Sequence, residues 1–232
     1  MSMTSRKFRP TTMLSGRLQT LATRILAVVG AALLTTGAVS AQGVNITPDL
    51  PYFEFDTGRD FLVIERNQNP EARTPDFFTM TSRQCPPFCI QPMSGGEGVT
   101  TVGELEVLDF MREHVANGTG HIIDARLSEW FERGTIPGAI NLSFTLFDNP
   151  EDNPFIVPVL TALGGTQATD GTWDLTEARE LVLFCNGPWC GQSHQALDNL
   201  LKIGYPAEKL RYYRGGMQGW VSLGLTVEVI GQ

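Results

Sequence analysis

The sequence is poor in basic residues and in histidine. It contains 17 lysines and arginines, 25 acidic residues and three histidines, which gives a formal net charge of −8 at pH 7. Because such a chain repels phosphate backbones and anionic lipid headgroups, we expect neither nucleic-acid binding nor peripheral membrane binding. Cysteine is also scarce, with four residues and no CxxCH sequence that could attach haem. With so few ligand-forming side chains close together in the sequence, we expect no metal site and no cofactor.

The N-terminus has the features of a secretory signal peptide. Basic residues without any acid are followed by an apolar run from Ile25 to Leu34, and Val39 and Ala41 suit the small-residue positions of a signal peptidase site. The apolar run is short for a transmembrane helix, so an uncleaved membrane anchor is the weaker alternative. We predict a signal peptide over residues 1–41 and a mature chain that begins near Gln42. The protein is then periplasmic or otherwise exported, without stable membrane association.

Residues 42–97 differ in composition from the chain that follows. Phe53–Phe55 and Phe61–Ile64 flank the sequence DTGRD, which predicts a small β-hairpin with a glycine turn. So short a piece buries little core alone, and we therefore predict an N-terminal extension that packs on a main domain at residues 98–232. The extension contains the sequence CPPFC. In an exported chain, a local disulfide between Cys85 and Cys89 is its simplest explanation.

From residue 100 the pattern alternates between strands and helices. Short apolar runs predict strands at His121–Asp124, Gly138–Leu142 and Leu181–Phe184. Helices are predicted from a Thr101/Glu104 capping box, over Ser128–Arg133, from an Asn153 cap towards Leu163, and over Ser193–Ile203. Such alternation predicts a doubly wound α/β fold with a parallel sheet. Ligands of these folds bind beyond the carboxyl ends of the strands, and Cys185 follows such an end.

The segment LVLF-CNGPWCGQS-HQAL predicts a strand, a compact loop and a helix. A sulfur at the strand end lies under the backbone N–H groups of the loop and the start of the helix, which lower a thiol pKa and can also bind an oxyanion. The candidate catalytic residue is therefore Cys185. The loop residues that would surround its substrate are Asn186, Gly187, Pro188, Trp189, Gly191, Gln192 and Ser193. The alternative from spacing alone is a buried, inert cysteine.

Two flanking motifs resemble the rhodanese family. HIIDARLSEWFERGTIPGAINLSF, starting at His121, is similar to the first family motif, and YYRGGMQGWVSLGLTVE, starting at Tyr212, is similar to its C-terminal motif. They enclose the cysteine-bearing loop in the family's order, and the resemblance covers about 130 residues. It implies a five-stranded parallel sheet with helices on both faces, and sulfur transfer through Cys185. The sulfur would pass from thiosulfate or a similar small donor to a thiol, cyanide or protein acceptor.

The loop also departs from that family. It is longer by about two residues and contains no cationic residue before His194, so a basic group would have to come from Arg214 or Arg126. Asp124 and Arg126 are predicted mainly to brace the fold. Related phosphatases need an arginine six residues after the cysteine, and that position here is Gly191, so the phosphatase alternative is rejected.

Cys190 lies in the same loop, five residues after Cys185. It is a candidate resolving cysteine, a plain loop cysteine or, least favoured, the primary nucleophile. Two other functions therefore stay open beside sulfur transfer. One is a thiol–disulfide redox protein that uses the Cys185/Cys190 pair. The other is a non-catalytic rhodanese-like binding module.

Overall fold

The computed structural model describes residues 43–150 and 152–230. The predicted signal peptide, residues 1–41, lies outside the described residues. Within the described part of the chain, no helix has the length and apolar character needed to cross a membrane.

The secondary structure alternates between strands and helices after residue 100. The strands are β1 (Tyr52–Asp56), β2 (Phe61–Glu65), β3 (Thr100–Val102), β4 (Gly120–Asp124), β5 (Ile140–Asn141), β6 (Thr166–Gln167), β7 (Trp173–Asp174), β8 (Glu180–Phe184) and β9 (Leu210–Tyr213). The α-helices are α1 (Asp76–Thr79), α2 (Glu104–Phe110), α3 (Ser128–Arg133), α4 (Ile156–Ala162), α5 (Gln192–Ile203) and α6 (Gly216–Ser222). A π-helical turn, Met111–Val115, continues α2, and 3-10 turns occupy Phe144–Phe147 and Ala207–Lys209.

A five-stranded sheet with the order β3-β9-β8-β4-β5 forms the centre of the molecule. Every pair of neighbouring strands in it is parallel. The predicted doubly wound, rhodanese-like sheet is therefore confirmed. β8 lies at its middle, which explains why Leu181–Phe184 is a continuous apolar run: both faces of that strand are covered.

The alternation of side chains along the strands builds one apolar core on each face of the sheet. In β8, Val182 and Phe184 belong to the core beneath α2 and α6, while Leu181 and Leu183 belong to the core beneath α4 and α5. Trp220 of α6 is fully buried in the first core, where its Nε1 donates to the backbone oxygen of Thr226 at 2.7 Å. Helices thus cover both faces, as the resemblance implies.

The hairpin of the extension packs on the α2/α6 face. β1 and β2 pair antiparallel from Tyr52↔Glu65 to Asp56↔Phe61, as predicted. Phe53, Phe55 and Ile64 point into the first core. These three apolar side chains explain how so short a segment gains a core: it shares that of the sheet.

Two predicted helix starts were wrong. Thr101 does not cap a helix, because it pairs with Tyr212 in the sheet; α2 instead begins after Gly103, whose N–H donates to the Glu106 carboxylate at 3.0 Å. Asn153 caps a turn by accepting from the N–H of Phe155, and α4 starts only at Ile156. Between α4 and β8 the structure also has a short antiparallel pair, β6 and β7.

The edge strand β5 is also shorter than predicted. Only Ile140 and Asn141 pair with β4. Before the strand, the N–H of Ala139 donates to the backbone oxygen of Ile136 and closes a turn. Within the run Gly138–Leu142 only Ala139 is buried and Ile140 is 37% exposed, so the apolar run does not mark a covered strand.

Candidate active site

Cys185 follows directly after β8, at the carboxyl end of the central strand. It is 2% exposed, and its thiol donates to the backbone oxygen of Cys190 at 3.1 Å. Ser193, the second residue of α5, places its hydroxyl oxygen 3.1 Å from the same sulfur. The strand end and the first turn of the next helix therefore meet at the Cys185 sulfur, as the sequence predicts.

The glycine pair of the C-terminal motif holds the backbone of this loop. The N–H of Met217 donates to the oxygen of Cys185 at 3.0 Å, and the N–H of Gln218 donates to the oxygen of Asn186 at 2.9 Å. Gly216 has a φ of +54°, and a Cβ there would collide with the backbone between Cys185 and Gly187. A side chain at Gly216 would therefore push the loop off the start of α6.

Asp124 and Arg126 form a buried ion pair beside the loop. The carboxylate is fully buried, the arginine is 2% exposed, and Nε donates to Oδ1 at 2.8 Å. Thr135 also donates to the carboxylate at 2.8 Å, and Arg126 Nη1 donates to Asn186 Oδ1 at 3.3 Å. Neither charge is left unpaired. The pair thus connects the end of β4 to Asn186, one residue of the loop.

Cys190 lies inside the loop beside Cys185. It is 6% exposed, and its N–H closes a turn onto the oxygen of Gly187 at 2.9 Å. Its thiol points towards the amide oxygen of Gln192 at 3.6 Å. Gly191 is the N-terminal cap position of α5 and Gln192 its first residue. Of the predicted loop residues, Ser193 lies at the Cys185 sulfur and Gln192 at the Cys190 sulfur.

The two thiols differ in pKa in the opposite sense to the sequence-based expectation. Burial raises the pKa of Cys185 well above the ordinary value, although Ser193 acts against this. A hydrogen bond from Cys185 lowers the pKa of Cys190 to about 7, and the N–H groups of Asn186 and Gln192 add to that effect. The loop amides were expected to converge on Cys185. They act on both sulfurs, since the N–H of Ser193 lowers the pKa of Cys185 while those of Asn186 and Gln192 lower that of Cys190.

Trp189 joins the loop to the extension. Its Nε1 donates to Gln218 Oε1 at 2.7 Å, and its ring lies 5.7 Å from that of Phe77 and 5.6 Å from that of Phe88, both nearly edge-on. The guanidinium of Arg83 stacks 4.1 Å from the centre of the Trp189 ring. Sequence reasoning missed these three extension residues, because nothing in their spacing links them to the loop.

The CPPFC segment lies next to the same loop. Cys85 and Cys89 are joined by a disulfide in the structure. Shortly after it, the N–H of Gln91 donates to the oxygen of Pro188 at 2.8 Å. The extension is thus hydrogen-bonded to the active loop through Pro188.

Arg214 contacts the extension instead of a sulfur. Its Nη2 donates to the oxygen of Gln91 at 3.1 Å, and its Nε donates to the oxygen of Pro92 at 3.3 Å. His194 is engaged similarly, since its Nε2 lies 3.1 Å from the oxygen of Ser94 and its ring packs on Tyr212. Within residues 43–150 and 152–230, no group of three metal-ligating side chains is arranged to hold a metal ion.

Comparison with known proteins gives the family. The sequence model of the rhodanese-like domain family matches residues 108–223, which is half of the chain. No curated protein matches at a significant level. Among solved structures, a protein of unknown function from Rhodopseudomonas palustris, described as a possible tyrosine phosphatase, is 18% identical over 58% of this chain and 88% of its own, with a TM-score of 0.41.

Two similar structures are sulfurtransferases. A thiosulfate sulfurtransferase from Pseudomonas aeruginosa is 21% identical over 59% of this chain and 21% of its own, with a TM-score of 0.39. A human single-domain sulfurtransferase is 23% identical over 53% of this chain and 96% of its own, with a TM-score of 0.38.

Proposed function

The chain belongs to the rhodanese-like domain family, and from that premise we propose that it is a sulfurtransferase that carries sulfur on Cys185. The observation that carries this proposal is the position of Cys185 at the end of the central strand, with Ser193 of the following helix 3.1 Å from its sulfur. This is the place at which doubly wound sheets bind their ligands. The flanking family motifs stand in the expected order around it.

The proposed reaction is a covalent, two-step transfer. The Cys185 sulfur attacks the outer sulfur of thiosulfate or a similar donor, the sulfur–sulfur bond of the donor breaks, and sulfite leaves with the bonding electrons. Cys185 then carries a persulfide. A thiol or cyanide attacks the outer sulfur of that persulfide, and the Cys185 thiolate leaves. Neither step needs an external oxidant or reductant.

Cys190 is proposed to accept the proton of Cys185. Its pKa of about 7 keeps a large fraction as thiolate at neutral pH, and the first cause of that value is the hydrogen bond from Cys185. Because burial raises the pKa of Cys185, an adjacent base is needed for the sulfur to attack. When Cys185 attacks the donor, the proton of the Cys185 thiol passes to the Cys190 sulfur. The negative charge that the Cys190 thiolate carried then ends on the Cys185 persulfide.

Thiol–disulfide exchange is the second candidate function. The two cysteines lie side by side in the loop, where the Cys185 sulfur is 3.1 Å from the backbone oxygen of Cys190 and each side chain shifts the pKa of the other. A thiolate next to a protonated thiol is also the arrangement of a dithiol redox site. In this function the pair would cycle between two thiols and a disulfide.

Intact-mass spectrometry of the mature protein separates these functions. The protein is reduced, desalted and treated with thiosulfate, and its mass is read with and without a later reductant. Sulfur transfer predicts one added sulfur that the reductant removes. A parallel sample receives a small-molecule disulfide as oxidant. Loss of two hydrogens there, with no sulfur added by thiosulfate, would support redox cycling instead, and an unchanged mass in both samples would contradict both.

Export is proposed on separate grounds. The basic N-terminus, the apolar run and the small residues at Val39 and Ala41 support a cleaved signal peptide. A disulfide between Cys85 and Cys89 is also in keeping with an oxidising compartment such as the periplasm. N-terminal sequencing of the extracytoplasmic protein is expected to start near Gln42. A sequence that still began at Met1 would contradict cleavage.

A further inference from the structure

A cavity of about 400 Å³ opens beside Cys190. Its walls come from two parts of the chain that are far apart in the sequence. The extension contributes Phe77, Pro87 and Phe88, and the main domain contributes Trp130, Phe144 and Trp189. The volume lies within the range of cavities that hold small organic molecules.

The described walls of this cavity contain aromatic, proline, amide and cysteine side chains, and no lysine, arginine, histidine or carboxylate that could pair with an anion. The polar groups come from Asn186, Gln192 and Gln195, beside the reactive loop. An inorganic dianion that entered would lose its hydration without gaining an ion pair. An apolar organic group would instead gain free energy in proportion to the area that it buries.

Arg83 fixes the aromatic wall. Its guanidinium stacks 4.2 Å from the ring centre of Phe77, 5.2 Å from that of Phe88 and 4.1 Å from that of Trp189. It also donates to the backbone oxygen of Phe77. One cation thus holds two rings of the extension to the ring of the active loop.

Two further features fix the position of the aromatic wall relative to the active loop. Pro87 and Phe88 lie between the two half-cystines of the Cys85–Cys89 disulfide, which restricts their backbone. Gln218 Nε2 donates to the oxygen of Phe78 at 3.0 Å, while Gln218 Oε1 accepts from Trp189. The cavity is therefore preformed, and a ligand does not have to order its walls.

The cavity adjoins Cys190, the loop neighbour of the Cys185 sulfur. Cys190 lines it, and the backbone oxygen of Cys190 is the partner of the Cys185 thiol at 3.1 Å. A persulfide on Cys185 adds a second sulfur at about 2 Å from the first. For a thiol whose organic group occupies the cavity to react, the outer sulfur on Cys185 has to lie on the Cys190 side of Cys185.

We infer that this cavity binds the aryl or alkyl group of an uncharged organic thiol, and that such a thiol is the sulfur acceptor. The inference rests on the proposed sulfur transfer and names its acceptor class. The acceptor thiolate attacks the outer sulfur of the Cys185 persulfide, the sulfur–sulfur bond breaks, and Cys185 leaves as a thiolate. The product is the persulfide of the organic thiol, so atoms and electrons balance.

The test compares two thiols of similar acidity, benzyl mercaptan and 2-mercaptoethanesulfonate. The mature protein is loaded with thiosulfate, freed of excess donor, and mixed with each thiol while mass spectrometry follows the loss of the added sulfur. We expect benzyl mercaptan to discharge the persulfide about tenfold faster or more at equal low concentration. Equal rates, or a faster reaction of the sulfonate, would overturn the inference.

Variants locate the preference in the cavity. Phe88→Ala is expected to lower the benzyl mercaptan rate about tenfold and to leave the sulfonate rate unchanged, with Phe88→Leu between the two. Phe88 is 37% exposed, so its truncation spares the core. The matched control is Phe61→Ala in the hairpin, a residue that is 64% exposed and is expected to change neither rate. Equal effects of Phe88→Ala on both thiols would overturn the inference.

A non-reacting ligand keeps this inference distinguishable from the proposed function. Thioanisole has the aromatic group but no thiol, and its binding is measured by isothermal titration. Binding that Phe88→Ala weakens supports the cavity even if thiosulfate loads no sulfur, which would contradict only the transfer function. A normally loaded protein that does not bind thioanisole would overturn the cavity and leave the transfer function standing.

Discussion

Ser193 places its hydroxyl oxygen 3.1 Å from the sulfur of Cys185. The serine is fully buried in the first turn of α5, and the cysteine ends the central strand. Its hydroxyl and N–H both lower the pKa of Cys185, against the larger effect of burial. The negative charge that forms on this sulfur during transfer therefore depends on Ser193.

Ser193→Ala is expected to slow persulfide loading about tenfold or more, because a hydrogen bond to a charged sulfur is lost inside the protein. The pH at which loading reaches half its maximum is also expected to rise, since the pKa of Cys185 rises further. Rates of loading by thiosulfate across a pH series measure both effects. Ser222→Ala, on the exposed end of α6, is the control. Unchanged rates in Ser193→Ala would contradict this role.

Cys190 is expected to titrate near neutral pH. Its pKa of about 7 predicts that the rate of alkylation by iodoacetamide at this residue reaches half its maximum near that pH. In Cys185→Ala the hydrogen bond that stabilises the Cys190 thiolate is lost, so the pKa of Cys190 should rise towards that of an ordinary thiol. Peptide mass spectrometry after timed alkylation measures both proteins. A wild-type Cys190 that titrates like a free cysteine would contradict the assigned hydrogen bonds.

The buried ion pair is expected to dominate the stability near the loop. Arg126→Ala leaves the fully buried carboxylate of Asp124 without its cation and should lower the free energy of unfolding by about 3–5 kcal/mol. Arg112→Ala is the matched control, because its pair with Asp109 is exposed and should contribute less than about 1 kcal/mol. Urea unfolding measures both. Equal losses would show that burial of the Asp124 pair does not matter.

The Cys85–Cys89 disulfide is expected to be present in the exported protein and to contribute little to stability. It closes a very short loop, so replacing both cysteines by serine should lower the free energy of unfolding by about 1–2 kcal/mol or less, while thiosulfate still loads Cys185. Non-reducing alkylation and urea unfolding are the measurements. Two free thiols at these positions in the native protein would refute the pairing.

Much of the fold could be predicted because its signals are local. The apolar run at Leu181–Phe184, the helical spacing after Ser193 and the glycine pair before Met217 each report their structure within a few residues. The position of Cys185 follows from the first two. The helix starts were predicted wrongly, although Thr101 and Asn153 have the chemistry of caps. Thr101 pairs in the sheet, and Asn153 caps a turn that precedes α4.

The rest of the site depends on contacts between distant segments. Nothing local in the sequence indicates that Arg83 stacks on Trp189, or that Phe88 closes a cavity beside Cys190. The order of the two thiol pKa values was also beyond local patterns, because it depends on which sulfur the amides of Asn186 and Gln192 face.

Single-turnover persulfide labelling of Cys185→Ser and Cys190→Ser beside wild type tests the central claim most directly. Cys185→Ser should form no persulfide, because a hydroxyl is too weak a nucleophile at this position. Cys190→Ser should still load one sulfur per chain, more slowly and with a shift to higher pH, since Cys185 must then lose its proton without an adjacent thiolate. Normal loading in Cys185→Ser together with none in Cys190→Ser would contradict the account and identify Cys190 as the nucleophile.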